Sequence, residues 1–188
     1  MRNGGVHSAC VRTRLRRATD DAHARVDRAF SELPINLPWG LSAFLRAQVI
    51  GLRAVEARLR AQPSWQRTIA RRIEAARFDL SALGDDTPIP ELELVDINPL
   101  GAAYVVAGSL HGTAVLRTQW ARTAERGLFP AGFTPLFFEG QAWKPVWRDV
   151  LAKLEGEEDI SSLIEAANTT FSIFEMAAKL TGQQETRR

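Results

Sequence analysis

His23, the glycine pair Gly108 and Gly112, and the basic pair Lys144 and Arg148 are the residues whose types and spacing bear on chemistry. A neutral imidazole ligates a metal through one ring nitrogen. Two glycines four apart on a helix leave a strip without side chains, where a flat ligand can lie close to the backbone. Two cations four apart beside tryptophans suit carboxylates or phosphates. Each feature also has a plainer reading. His23 is then a partly exposed polar residue at a helix edge, the glycines seat a neighbouring helix, and the cations belong to a solvated face. The other histidines are His7, in the N-terminal stretch, and His111, beside Gly112; the single cysteine is Cys10.

Several recurring chemistries are absent. There is no Walker loop, no GxGxxG after a strand, no CxxC, no HExxH and no GxSxG. The histidine spacings do not suggest zinc. The scarcity of ExxH pairs speaks against a di-iron bundle.

The elements that must position these residues are helical. Leu15, Ala18, Ala22, Val26, Ala29, Phe30 and Leu33 form one apolar stripe, with His23 at its border, and residues 1–12 read as a flexible tail. A second helix is expected over Leu41–Ala61, with its arginines, Arg46 included, mostly off the apolar stripe. Ser64 is placed to cap a third over Trp65–Ala76. The segment 78–84, FDLSALG, reads as a short helical turn closed by glycine, and 85–98 as an acidic, proline-containing surface connector. Pro99 suits the first turn of the next helix, which is crowded with Gly101, Ala102, Ala103, Ala107, Gly108, Ser109, Gly112 and Ala114. Interior glycines cost about 0.5–1 kcal/mol each relative to alanine, so such a helix kinks or serves a close approach. A loop over 127–135, a Trp-rich helix over Gln141–Leu154, an acidic turn over 155–159 and a last helix over Ile160–Leu180 complete the reading. The fold class is all-α, a single domain over 13–182 with six to eight helices and a polar tail over 183–188.

Composition agrees with one globular domain: 188 residues, 45% hydrophobic and 24% charged. A net charge of +2 does not argue for nucleic acid. The basic residues are nearly all arginine, and a GC-rich coding bias accounts for most of them. The lone cysteine precludes a disulfide framework within the chain, and no run long enough to span a membrane is expected. The expected location is the cytoplasm.

Imidazole, glycine face and basic residues together suit a flat, apolar, dianionic metal macrocycle. The segment Leu15-Arg16-x-Ala18-Thr19-x-x-Ala22-His23-x-x-x-Asp27 resembles the start of biliverdin-producing haem oxygenases. Residues 104–112, YVVAGSLHG, resemble the bacterial form, usually YVLEGSxLGG. The 78–84 segment, Phe137-Phe138 before a Trp-rich helix, and Phe171 in the last helix also fall where that family has their counterparts, so the resemblance covers roughly residues 14–180. It is closest to the enzymes that supply biliverdin to bacterial phytochromes.

The resemblance implies that His23 is the proximal ligand of haem iron and that Gly108, Ser109 and Gly112 border the distal pocket. It implies Arg16, Lys144 and Arg148 as partners of the propionates, with Tyr104 and Phe171 lining the pocket. Haem would be both cofactor and substrate. An external donor (a reductase, a ferredoxin or ascorbate) would supply electrons, O2 would be consumed, and biliverdin, CO and Fe2+ would leave. A bacteriophytochrome is the implied biliverdin acceptor. The chain departs from the pattern at Ala107, His111 and Thr113. Thr113 would stiffen or fill the distal helix, and His111 would act as a second iron ligand if turned inward. These departures carry a rival reading, a haem-oxygenase fold without turnover that binds haem, a tetrapyrrole or a protein partner. More distant alternatives are a thiaminase-like or di-iron helical enzyme and a plain structural bundle.

Overall fold

The computed structural model describes residues 4–59, 62–92, 96–139 and 143–185; the side chains of 4–10, 110, 111, 143, 184 and 185 lie outside the described set. His111 and Cys10 therefore have a placed backbone and no described side chain. The described secondary structure is entirely helical, which confirms the all-α class. Six α-helices run α1 Gly4–Ser31, α2 Pro38–Glu56, α3 Pro63–Ala82, α4 Pro99–Thr123, α5 Trp143–Leu154 and α6 Ile160–Glu185. Two 3-10 turns, Arg126–Leu128 and Leu136–Glu139, fall between α4 and α5.

Helix α2 is the centre of the core. Leu41, Phe44, Leu45, Val49, Leu52 and Val55 are buried as the apolar spacing predicts. Its other sides are buried as well, because α6 and α3 both pack along it. This overturns the expectation for Arg46, which is 1% exposed rather than off the buried stripe. Its Nη1 lies 2.5 Å from the Asp85 carboxylate, just beyond the C-terminus of α3. Arg53, further along α2, reaches Glu91 at 3.8 Å, and Arg58, just past its end, reaches Asp96 at 3.5 Å. The described acidic residues on either side of 93–95 thus pair with arginines on and just after α2.

The ends of the helices follow local rules, with corrections. Proline opens α2, α3 and α4, since its missing N–H is no loss in a first turn. For α3 this moves the start to Pro63; Ser64 is inside the helix and caps nothing, and its carbonyl accepts from the Thr68 hydroxyl at 2.8 Å. The expected break between α3 and the 78–84 turn does not exist, because no breaker separates them. The glycine stop is real. Gly84 has φ of 71°, and N–H groups of Gly84 and Asp85 return to the carbonyls of Ser81 and Leu80. Helix α1 begins at Gly4, not after residue 12, and Val11, buried at 1%, carries the stripe one turn back. Within that stripe Ala18 is exposed and Thr19 is buried instead. The threonine hydroxyl donates to the Leu15 carbonyl at 2.9 Å, which allows it inside.

Asp79 explains the FDLSALG segment. Its buried carboxylate accepts the backbone N–H of Leu136 at 2.9 Å and of Phe137 at 2.8 Å, so α3 holds the second 3-10 turn. Trp65 donates to Asp149 at 2.7 Å and ties α5 to α3. Asn98 caps α4 by accepting from Leu100 N–H, and its amide donates to Ser162 of α6 at 3.1 Å.

Burial pushes the Asp85 pKa up, but the Thr87 hydroxyl and backbone N–H, the Arg46 charge and Ser42 outweigh it and hold the carboxyl below 3.8. A lowered folded pKa contributes stability that is present above 3.8 and is lost as pH falls through the folded value. Asp85→Asn therefore destabilises at neutral pH by about 3–5 kcal/mol, because it takes the counter-charge from a buried guanidinium. The penalty shrinks as pH falls through the folded pKa of Asp85, where the wild-type carboxyl gains its proton. Urea unfolding of both proteins at neutral pH and across the acid range checks this, and a penalty that does not change with pH would contradict it.

Candidate functional site

One wall of the site is α1. Arg12, Arg16, Asp20, His23 and Asp27 follow at helical spacing on one exposed stripe beside the buried Leu15, Thr19 and Ala22. The His23 ring lies 5.4 Å from the Phe171 ring of α6, tilted by 44°. Its Nε2 is 3.6 Å from the Asp27 carboxylate, and the side chain remains 59% exposed. His23 thus stands at the helix edge, as its sequence position predicts, and projects toward α6. A second α1–α6 contact, Arg25 to Glu175 at 3.1 Å, fixes how the two helices slide past one another.

The opposite wall is α4. Tyr104, Gly108, Gly112 and Val115 lie along one side of it. Tyr104 is half-buried, 5.8 Å from the Trp147 ring of α5. Burial raises its pKa, while the charges of Arg12 and Arg16 on α1 oppose that rise, so the phenol keeps its proton at neutral pH. A Cβ at Gly108 would stand 3.9 Å from Trp147, and one at Gly112 would meet no described atom within 4 Å. Gly101 differs: a Cβ there would come within 2.7 Å of Ala166 Cβ and the Leu163 carbonyl. Tight helix packing is thus the role of Gly101 against α6, not of the Gly108–Gly112 pair. The helix runs unbroken through both glycines.

Two departures from the resembled motif resolve differently. Thr113 is 7% exposed and its hydroxyl accepts from Arg72 Nη1 of α3 at 3.4 Å, so it does not fill the open side of the helix. His111 lies outside the described side chains. Ser109 is exposed, and its hydroxyl donates back to the Val106 carbonyl at 2.8 Å.

Helices α1 and α4 each pack on α5 and α6 but scarcely meet one another. Phe171 of α6 borders His23 on the α1 side, and Trp147 of α5 borders Tyr104 on the α4 side. Lys144 and Arg148 flank Trp147 in sequence and are exposed, and Arg148 Nε donates to the Lys144 carbonyl at 3.4 Å. Neither they nor Arg12 and Arg16 form an ion pair among the described residues. A separate cavity of about 10 Å³, lined by Leu59, Trp65, Ala103, Val106 and Val146, lies behind α4 and has room for a water molecule at most.

Helix α4 is apolar on nearly every side. Its mean hydropathy of 1.2 and its length would suffice to cross a membrane, yet only 44% of that window is buried in the fold. No metal-ligating cluster of three or more His, Cys, Asp or Glu occurs among the described residues.

No protein-family model matches the chain, and no curated protein matches its sequence. The site is therefore read from its own residues. The structure brings Arg16 near Tyr104, Tyr104 and Gly108 to Trp147, and His23 to Phe171. Sequence reasoning missed Arg12, Asp20 and Val115. Their signal was present: each sits three or four residues from a named site residue on the same helix face.

The two kinds of glycine separate by substitution. Gly112→Ala is expected to stabilise by about 0.5–1 kcal/mol, because a methyl there meets nothing and the helix gains propensity. Gly101→Ala is expected to destabilise by about 1–3 kcal/mol through overpacking against α6. Thermal unfolding of the ligand-free variants reads both signs.

Proposed function

We propose that the protein is a haem oxygenase, binding haem in the groove between α1 and α4 and converting it to biliverdin, CO and Fe2+ with O2 and an external electron donor. The observation that carries this is the unpacked Gly108–Gly112 side of α4, together with the exposed His23 imidazole on α1. The residues present fit a flat, apolar, dianionic ligand. His23 would offer a ring nitrogen to the iron, with Asp27 close enough to orient the ring. Phe171 and Trp147 offer aromatic contact, and Gly108 and Gly112 admit the ligand close to the backbone. Arg16, Lys144 and Arg148 offer charge for two carboxylates.

Bound haem would supply the iron that activates O2 and would itself be the molecule oxidised. The chain's own residues do the rest. The Tyr104 phenol, protonated at neutral pH, donates a hydrogen bond to a carboxylate or an ordered water. Gly108 and Gly112 would leave the side of α4 next to bound haem free of side chains. Trp65 on α3, through its hydrogen bond to Asp149, holds α5 and so the position of Trp147. A reductase, a ferredoxin or ascorbate would act as electron donor, a bacteriophytochrome as biliverdin acceptor, and the cytoplasm is the compartment that goes with them.

Haemin titration followed by absorption, then ascorbate under air, tests the reading on wild type and His23→Ala. The expected result is a stoichiometric Soret band that decays into a biliverdin spectrum, with His23→Ala changing the ligation and abolishing turnover. A Soret band that persists under reductant would favour the rival, a haem-binding protein without turnover, and would point to His111. Absence of any Soret band would overturn both.

A further inference from the structure

Helix α4 has an unusual difficulty. It is apolar nearly all the way round, so burial of apolar surface alone does not decide which side turns inward. Its first half is located by Gly101, which lets α6 approach closely, and by the buried run Ala102, Ala103, Val105, Val106 and Ala107. Its end is located by Trp120, whose ring lies 5.6 Å from Phe129 and 6.1 Å from Phe133. Between Ala107 and Trp120, Thr113 is the one fully buried residue among the described side chains. It immediately follows Gly112, and it stands where the resembled motif has glycine.

Thr113 meets a prepared partner. Arg72 is buried on α3, with its guanidinium carbon 4.0 Å above the centre of the Phe137 ring and its Nη1 donating to Thr113 Oγ1. Phe137 is itself held, because Asp79 accepts its backbone N–H. Burial pulls the Arg72 pKa down to about 9, so the guanidinium still carries its charge at neutral pH. A charge-assisted hydrogen bond inside an apolar contact discriminates between rotations of a helix, where apolar packing does not.

We propose that Arg72 and Thr113 form a latch that holds the middle of α4 between these two anchored ends and so keeps the Gly108–Gly112 side unpacked. Both are positioning residues that act through Gly112. The inference deepens the reading of the groove as a haem site and rests on it for its functional meaning. The physical latch stands apart from it.

The test uses the full chain without haem. Hydrogen exchange over residues 108–116 is compared for wild type, Thr113→Val, which keeps the volume and loses the acceptor, and Thr113→Ser, which keeps the acceptor. Thr113→Val is expected to exchange roughly tenfold or more faster in that stretch, with α2 and α6 unchanged, as befits the loss of a hydrogen bond to a charged group. Thr113→Ser is expected to stay within about twofold of wild type, since the acceptor is retained. Arg72→Lys, which keeps charge but lacks the planar fork, is expected to behave like Thr113→Val. Equal exchange in the valine and serine variants, or a rise shared by α2 and α6, would overturn the latch. With haemin added, the valine variant is expected to shift the Soret maximum or the spin-state bands, and serine to restore them. Wild type that binds no haemin would remove the haem reading, and the exchange data would still decide the latch.

Discussion

Arg46 is a guanidinium sealed inside the central helix of the core, and the Asp85 carboxylate is what makes it tolerable there. Taking two charges out of water is expensive, and the pair recovers that cost only while its geometry holds. The remaining architecture is arranged around this requirement. Asp85 is presented by the glycine-stopped end of α3, so the end of α3 is tied to the middle of α2. Asp79, one and a half turns earlier, then fixes the second 3-10 turn, and Trp65 earlier on α3 holds α5 through Asp149. From one buried charge the chain of fixed positions runs through α3 to α5.

Helix α6 completes the scaffold. It packs along α2, α1 and α4. Phe171 meets His23, Glu175 meets Arg25, and Leu163 and Ala166 receive Gly101. One helix thus sets the position of the imidazole on α1 and of the glycine side of α4 together.

Much of this was legible in the sequence. Periodicity located five of the described helices, Pro99 and a run of small residues located α4, and proline and glycine marked several of the ends, since those residues act through local backbone geometry. The grouping of His23, Tyr104, Gly108 and Phe171 came from motif resemblance; the structure sets His23 beside Phe171, and Tyr104 and Gly108 beside Trp147. What periodicity does not carry is partnership. Arg46 reads as a surface residue until Asp85 is known to lie beside it. Ala18 and Thr19 exchange roles because a hydroxyl bonded to the preceding turn can be buried. Thr113 reads as an obstruction in the distal helix until Arg72 appears on its other side. In each case a polar group was misjudged from its own position, because its burial depended on a residue far away in sequence.

The strap between α3 and α4 has a direction. Its three described contacts with arginines on and just past α2 become steadily wetter: the Asp85 carboxyl is 10% exposed, Glu91 84% and Asp96 98%. Dissolved ions screen the outer pairs and barely reach the inner one. Rising ionic strength therefore peels the strap from its Asp96 end, next to the start of α4, while Asp85 stays anchored. Fraying of the fold in brine would begin at the entrance to the glycine helix and travel backwards toward the core.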